Sequence, residues 1–112
     1  MENERQVFSI YVAGSRYENK DGSSRIKYLL GLTNSDKLKL IREPRNQFDK
    51  FAVKVVYGNN YQIGYIPRRH SELVSNNLKE GFLYEIPNFS VRRDDIGYKL
   101  ICEFKLIMMK KN

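Results

Sequence analysis

The segment A-V-K-V-V-Y-G-N-N-Y-Q-I-G-Y-I, at Ala52–Ile66, is the clearest indication of architecture in this chain. Both halves are rich in β-branched and aromatic residues, which favour extended strands. Gly58, Asn59 and Asn60 separate the halves, and glycine and asparagine tolerate the left-handed backbone of a tight reversal. The segment therefore predicts a β-hairpin, which Pro67 ends because proline cannot donate to a strand ladder.

Further strands are predicted on both sides of this hairpin. Lys37–Ile41 alternates lysine with leucine, as expected of a strand with one wet face, and Pro44 ends it. Val7–Gly14 is β-branched and aromatic, so it predicts an earlier strand. Downstream, Asn88–Arg92 and Tyr98–Met108 flank a turn and predict a second hairpin.

Two segments between these strands complete the prediction. Arg25–Leu32 is strand-like in composition, although its pattern is ambiguous. Ser71–Lys79 has apolar residues near one helical face, and Gly81 follows as a stop signal, so this segment predicts a helix. The predicted fold is mainly β: a small OB-like or SH3-like barrel of about six strands with one short α-helix near residues 69–80.

Length and charge limit the classes of function. The chain has 112 residues, which fits one domain, residues 1–112, with a single hydrophobic core. Lys and Arg number 20 against 13 Asp and Glu, so the formal net charge is +7. This balance favours polyanionic partners, with nucleic acid first and an anionic membrane surface second. Many small domains are basic for solubility alone, and charge leaves that alternative open.

The sequence shows none of the familiar enzyme or metal constellations. The single cysteine, Cys102, and the single histidine, His70, provide neither a disulfide nor a zinc framework, and Cys102 is predicted to be buried in a strand. Asp94-Asp95 is interpreted as initiating a turn rather than holding a cation. We therefore predict no catalytic residue, metal or cofactor, and no enzyme. A small nuclease would need a carboxylate cluster that the sequence does not show.

Targeting and membrane segments are not visible either. The first residues lack the pattern of a signal peptide, and no apolar stretch approaches the ~20 residues that span a bilayer. The expected location is the cytoplasm, with nucleoid association if the protein binds DNA, and no membrane partner is predicted.

Basic and aromatic residues are interleaved at three predicted strand ends, near Gly14, Pro44 and Pro67. These clusters contain Arg16 and Tyr17; Arg42, Arg45, Phe48, Asp49 and Lys50; and Tyr65, Arg68, Arg69 and His70. Strand ends of a small barrel can converge on one rim or face. There, aromatic rings would stack on unpaired bases for ~1–3 kcal/mol each, and basic groups would hold phosphates. The alternative is that the aromatic rings belong to the core and the arginines to a solvated rim.

Three motifs, in order along the chain, resemble those of a known family. They are V-A-G-S-R-Y at Val12–Tyr17, L-x-L-x-R-E-P-x-N-x-F-D-x-x-A-V-x-V at Leu38–Val55, and I-G-Y-I-P-R at Ile63–Arg68. Together they resemble the HIRAN domain, which occurs at the N-terminus of certain SWI/SNF-type fork-remodelling ATPases and as stand-alone bacterial proteins. The resemblance covers core motifs over residues 8–78, whereas the C-terminal strands, residues 88–108, match only in strand character.

The resemblance implies an OB-like barrel that binds single-stranded nucleic acid, DNA more than RNA. It also implies recognition of a free 3′-hydroxyl end, in DNA repair or replication-fork processing. The matching positions that would contact DNA are Arg16, Tyr17, Phe48, Asp49, Tyr65 and Arg68, with Arg45, Lys50 and Arg69 as further candidates for phosphate contacts. The aromatic rings would stack on terminal bases, and Asp49 would accept a hydrogen bond from the terminal hydroxyl.

Several alternatives stay open at this stage. Asp49 could instead use its oxygens to accept from the backbone N–H groups of Phe51 and Ala52. The chain departs from the family pattern at Glu18, which would repel a nearby phosphate, and at Gln47, where proline is usual. The same barrel face could also belong to a protein-interaction domain that recruits a helicase or nuclease partner.

Overall fold

The computed structural model describes residues 5–97 and 99–111, which form a mainly β protein, as the sequence predicts. These residues contain seven strands in two sheets and two helices. In chain order the elements are β1 (Arg5–Tyr11), α1 (Arg25–Leu30), β2 (Lys39–Arg42), β3 (Val53–Tyr57), β4 (Tyr61–Tyr65), α2 (Arg68–Lys79), β5 (Leu83–Glu85), β6 (Phe89–Arg93) and β7 (Leu100–Met109). Tyr98, the first residue of the predicted last strand, lies outside the described residues.

The smaller sheet contains the predicted hairpin. Its strand order is β2-β3-β4, and all neighbours are antiparallel. Gly58 and Asn60 have φ angles of 58° and 64°, the left-handed backbone that the reversal between β3 and β4 requires. The hairpin prediction is therefore confirmed, because its signals are local and do not depend on distant contacts.

The larger sheet is built around β7. Strand β1 pairs along one side of β7, from Tyr11 opposite Glu103 to Arg5 opposite Met109. On the other side, β6 pairs with the first half of β7 and β5 with its end. Alternate residues of β7 from Cys102 to Met108 face the core, and burial raises the pKa of the Cys102 thiol to about 12. The prediction that Cys102 is buried in a strand is confirmed.

One core lies between the two sheets and α2. Strands β1 and β7 contribute one side of it and β2, β3 and β4 the other, while α2 adds Val74 and α1 adds Leu29. Fifteen buried hydrophobic residues form this cluster, so the described residues share one continuous core.

The two sheets meet where the chain leaves β1 and reaches the end of β4. Ala13 and Tyr65 exchange two backbone hydrogen bonds of 2.8 and 2.9 Å. Gly64 permits this approach, because a Cβ atom at position 64 would lie 2.5 Å from both the Ala13 carbonyl oxygen and a Val12 methyl group. The bridge places the segment after β1 beside Tyr65, and this junction positions the candidate site.

The ambiguous segment Arg25–Leu32, strand-like in composition, forms no strand, because its residues Arg25–Leu30 form α1. Ser24 caps the helix by accepting a hydrogen bond from the Lys27 N–H, and Gly31 ends it. The short strand β5 was not anticipated, so the described residues contain one strand more than the predicted six. The predicted helix near residues 69–80 is confirmed as α2, which begins directly after Pro67.

Candidate nucleic-acid interface

A cleft of about 920 Å³ lies at the junction of the two sheets. Its walls come from the segment after β1, the turn between β2 and β3, the end of β4 and the start of α2. Five of the predicted contact residues line it, namely Tyr17, Phe48, Asp49, Tyr65 and Arg68. Residues from three separate motifs are therefore brought together around one cavity.

The other four predicted contacts lie outside this cleft. Arg16 is exposed beside it, where its Nη2 donates to the Tyr17 hydroxyl at 3.0 Å. Lys50 lines a neighbouring cavity of about 410 Å³ that shares Asp49 and Arg68 with the cleft. Arg45 and Arg69 are exposed side chains.

Tyr17 and Phe48, which we call the rim aromatics, are exposed to solvent. The Phe48 side chain is 85% exposed and that of Tyr17 is 57% exposed. The alternative that these two rings belong to the core is therefore wrong. A large aromatic surface left in water at a cleft is available to a ligand.

Asn46 holds Phe48 in this exposed position. Its Oδ1 accepts hydrogen bonds from the backbone N–H groups of Phe48 at 2.9 Å and Asp49 at 3.0 Å. This arrangement is an Asx turn, in which a short amide side chain organises the backbone that follows it. Arg68 supports the same turn by donating to the Phe48 carbonyl. Asn46 was not among the predicted site residues, although an asparagine in the polar segment after Pro44 is a turn signal in the sequence.

The Asp49 carboxylate is anchored on both oxygens. Oδ1 accepts from the Phe51 N–H at 2.9 Å, whereas Oδ2 accepts from the Ser71 hydroxyl at 3.1 Å and lies 3.9 Å from Nε of Arg68. The Ala52 N–H donates to the backbone carbonyl of Asp49 instead. The alternative that the Asp49 carboxylate accepts from backbone N–H groups is therefore correct for Phe51 and wrong for Ala52. A carboxylate has about four acceptor sites, so these contacts orient Asp49 without exhausting its capacity.

A second group, which we call the floor, consists of Arg25 and Tyr65, which line the cleft, and Glu43, which binds Tyr65 without lining the cleft itself. The Tyr65 hydroxyl donates to Oε1 of Glu43 at 2.8 Å, and Lys54 lies 3.7 Å from the other carboxylate oxygen. Burial alone would raise the pKa of Glu43, but hydrogen bonds from Tyr65 and Asn46 and the nearby lysines outweigh it, so the pKa is lowered. Burial raises the pKa of Tyr65, so its phenol stays protonated and donating at neutral pH.

Arg25 completes the floor by packing against the Tyr65 ring. Its guanidinium carbon lies 5.2 Å from the centroid of the Tyr65 ring, and its Nε and Nη1 donate to Asn19 and to the Gly14 carbonyl. Arg25 lines the cleft and is 8% exposed. Sequence reasoning missed it because the segment that contains it was strand-like but ambiguous and matched none of the three motifs.

The charges that line the cleft are mixed, with a positive excess. Lys20, Arg25 and Arg68 are basic, whereas Glu18 and Asp49 are acidic. The Asp49 carboxylate pairs with Arg68, so the carboxylate is partly neutralised within the protein. The result favours a ligand with separated negative charges, such as a phosphodiester chain.

Neither a metal site nor a membrane-spanning helix is found among the described residues. Within residues 5–97 and 99–111, there is no group of three or more His, Cys, Asp or Glu side chains that could hold a metal ion. In the same residues, neither helix has the length and apolar character required to cross a membrane.

Comparison with known proteins agrees with the architecture. A model of the HIRAN domain family matches residues 6–100. A crystal structure of a protein from Lactobacillus plantarum is similar over 98% of this chain and 100% of that chain, with 20% identity and a TM-score of 0.67. The crystal structure of the HIRAN domain of human HLTF is similar over 95% of this chain and 77% of that chain, with 18% identity and a TM-score of 0.65. A search of curated proteins gave no match.

The two structural similarities show a shared OB-like fold. The family model covers most of the sequence, including all three motifs around the cleft. The chain therefore belongs to the HIRAN domain family.

Proposed function

We propose that this chain is a non-enzymatic module that binds single-stranded DNA and recognises a free 3′-hydroxyl end, in DNA repair or replication-fork processing. Domains of the HIRAN family are known to bind DNA and are binding modules rather than catalysts, which supports the general part of the proposal. The observation that supports it most directly is the cleft, where exposed aromatic rings stand beside an oriented carboxylate and basic side chains.

The rim aromatics favour a single strand over a duplex. Bases in a duplex already stack on each other, so an exposed ring gains only from bases that are unpaired. Phe48 and Tyr17 present such faces on two separate segments of chain. Arg68 and Lys20, which also line the cleft, would hold the phosphates that connect the stacked bases.

Asp49 supplies the chemistry that distinguishes one end of the strand. A terminal 3′-hydroxyl can donate a hydrogen bond to the carboxylate, which the Phe51 N–H and the Ser71 hydroxyl hold in one orientation. A terminal 3′-phosphate would instead bring its negative charge against that carboxylate. The site therefore favours a hydroxyl end over a phosphorylated one.

The direct test compares two oligonucleotides that differ only at the 3′ end. Fluorescence anisotropy of a 5′-labelled strand should show about tenfold weaker binding for the 3′-phosphate, because a hydrogen bond to a charged group contributes ~1.5–3 kcal/mol. The comparison is made at two salt concentrations. Equal affinities would contradict end recognition. If neither oligonucleotide shows salt-sensitive binding, the proposal of DNA binding is contradicted. Capture of a helicase or nuclease would then favour the alternative of a protein-interaction domain.

Variants of Asp49 separate end recognition from general binding. Asp49→Ala should remove the preference between the two ends while changing affinity for a circular single strand much less. Asp49→Asn is the matched control for folding, because its amide oxygen can still accept from the Phe51 N–H. Retention of a tenfold end preference in Asp49→Ala would assign that preference to another residue.

A further inference from the structure

Arg25 is a buried cation without a carboxylate partner among the described residues. The ion pairs of the described chain join Lys54 to Glu43, Arg68 to Asp49 and Arg92 to Glu103. Arg25 is in none of them, although only 8% of it is exposed. Burial of an uncompensated charge costs free energy, and proteins normally offset that cost with a paired anion.

Neutral groups hold the Arg25 guanidinium in one orientation. Nε donates to Asn19 Oδ1 at 2.7 Å, and Nη1 donates to the Gly14 carbonyl at 2.8 Å. Asn19 is itself fixed, because its Nδ2 donates to Ser23 Oγ and to the Gln62 carbonyl. The ring of Tyr65 covers one face of the guanidinium at 5.2 Å. The charge is thus held by dipoles and a ring, and none of these contacts neutralises it.

One nitrogen of Arg25 remains for a ligand. Nη2 makes no hydrogen bond to any described residue, yet the described residues contain no fully buried side-chain nitrogen without a partner. Nη2 therefore keeps some contact with solvent, and the cavity that Arg25 lines is the cleft. A guanidinium that lines a cavity, with two nitrogens anchored and the third accessible to solvent, can receive an oxygen anion.

We propose that Arg25 forms a phosphate-binding subsite in the floor of the cleft, where Nη2 contacts one phosphodiester of the bound strand. The inference rests on the proposed function, since the cleft must first receive a nucleic acid. It assigns a defined place to one phosphate, unlike the exposed arginines beside the cleft, which can follow the backbone in many arrangements. A single linkage of the strand should therefore depend on Arg25.

The experiment replaces one phosphodiester at a time with a neutral methylphosphonate along a short oligothymidylate. In the wild-type protein, replacement at one linkage near the 3′ end should lower affinity about tenfold. Arg25→Gln should bind the unmodified strand about tenfold more weakly and lose its sensitivity at that linkage alone. Arg92→Gln is the matched control, because it removes the same charge from an exposed position on β6, and it should keep the wild-type pattern.

Two measurements distinguish phosphate binding by Arg25 from a purely structural role. Arg25→Lys keeps the charge and should retain sensitivity at the same linkage even if its thermal stability falls. In the wild-type protein, the Arg25 Nε–H resonance should shift on addition of the unmodified strand and shift less with the neutral linkage at that position.

The outcomes separate this proposal from the proposed function. If the wild-type protein prefers a 3′-hydroxyl end but no single linkage depends on Arg25, the subsite is wrong and end recognition stands. The subsite is equally wrong if Arg25→Gln keeps the full linkage pattern. If the wild-type protein binds no single-stranded DNA, both proposals fail together.

Discussion

The rim aromatics and the floor belong to the same site but are built in opposite ways. Phe48 and Tyr17 are exposed, and hydrogen bonds to the backbone of its turn hold Phe48. Tyr65 and Glu43 are joined by a direct side-chain hydrogen bond, and Arg25 packs under the Tyr65 ring. The rim can therefore be altered with little effect on folding, whereas changes in the floor affect stability and binding together.

The largest effect is expected from the glycine that joins the floor to β1. Gly64→Ala should lower the free energy of unfolding by about 3 kcal/mol or more, because the new methyl group would meet a backbone oxygen at 2.5 Å. Gly22→Ala is the matched control. Gly22 also has a positive φ, of 85°, but has no atom within 4 Å of an added Cβ, so only the backbone strain remains. Urea denaturation measures both, and equal losses would show that the close approach of Gly64 to Ala13 has little energetic importance.

The next largest effect should fall on binding alone. Phe48→Ala should weaken single-stranded DNA binding by ~1–3 kcal/mol, because one stacking surface is lost. The free energy of unfolding of this variant should change by less than about 0.5 kcal/mol, since the ring is already in solvent. Ile96→Ala removes a similarly exposed side chain from the turn after β6 and should change neither quantity. A marked loss of stability in Phe48→Ala would contradict the separation of rim from floor.

These two groups also differ in how far the sequence predicts them. Phe48 lies within one motif, and its exposure follows from a local turn set by Asn46. The floor depends on contacts between residues far apart in the chain, such as the hydrogen bond from Tyr65 to Glu43. No local periodicity encodes such a pair.

The secondary structure of Arg25–Leu30 was also hard to predict from the sequence. R-I-K-Y-L-L suits a strand or a helix by composition, and six residues are too few for a helical period to become visible. The local signals for the helix are the Ser24 cap before it and Gly31 after it. By contrast, the β3–β4 hairpin was predictable because its turn residues and both strands are contiguous.

A smaller effect, dependent on pH, should distinguish the floor from the rim. The lowered pKa of Glu43 means that its ionised form is favoured in the folded protein, so its contribution is complete above the unfolded value near 4.5. This contribution is lost as the pH falls through the folded pKa. The stability difference between wild type and Glu43→Gln should therefore be about 1 kcal/mol at neutral pH and should shrink in acid. Urea denaturation between pH 3 and pH 7 measures this difference. Glu85→Gln, which changes an exposed carboxylate on β5, is the control and should show no such trend. A stability difference for Glu43→Gln that stays constant with pH would contradict the contribution of the ionised Glu43.

The smallest effect should come from Arg16, which stands beside the rim aromatics. Its guanidinium lies 5.1 Å from the centroid of the Tyr17 ring and is exposed, so it is free to contact a phosphate while supporting that ring. Arg16→Ala should weaken binding to hydroxyl-ended, phosphate-ended and circular strands alike. It should also reduce the slope of log affinity against log salt by about 0.7, the value for one phosphate contact on a single strand. Anisotropy at several salt concentrations measures this slope. A change confined to one type of end would show that Arg16 takes part in end recognition, and an unchanged slope would show that it touches no phosphate.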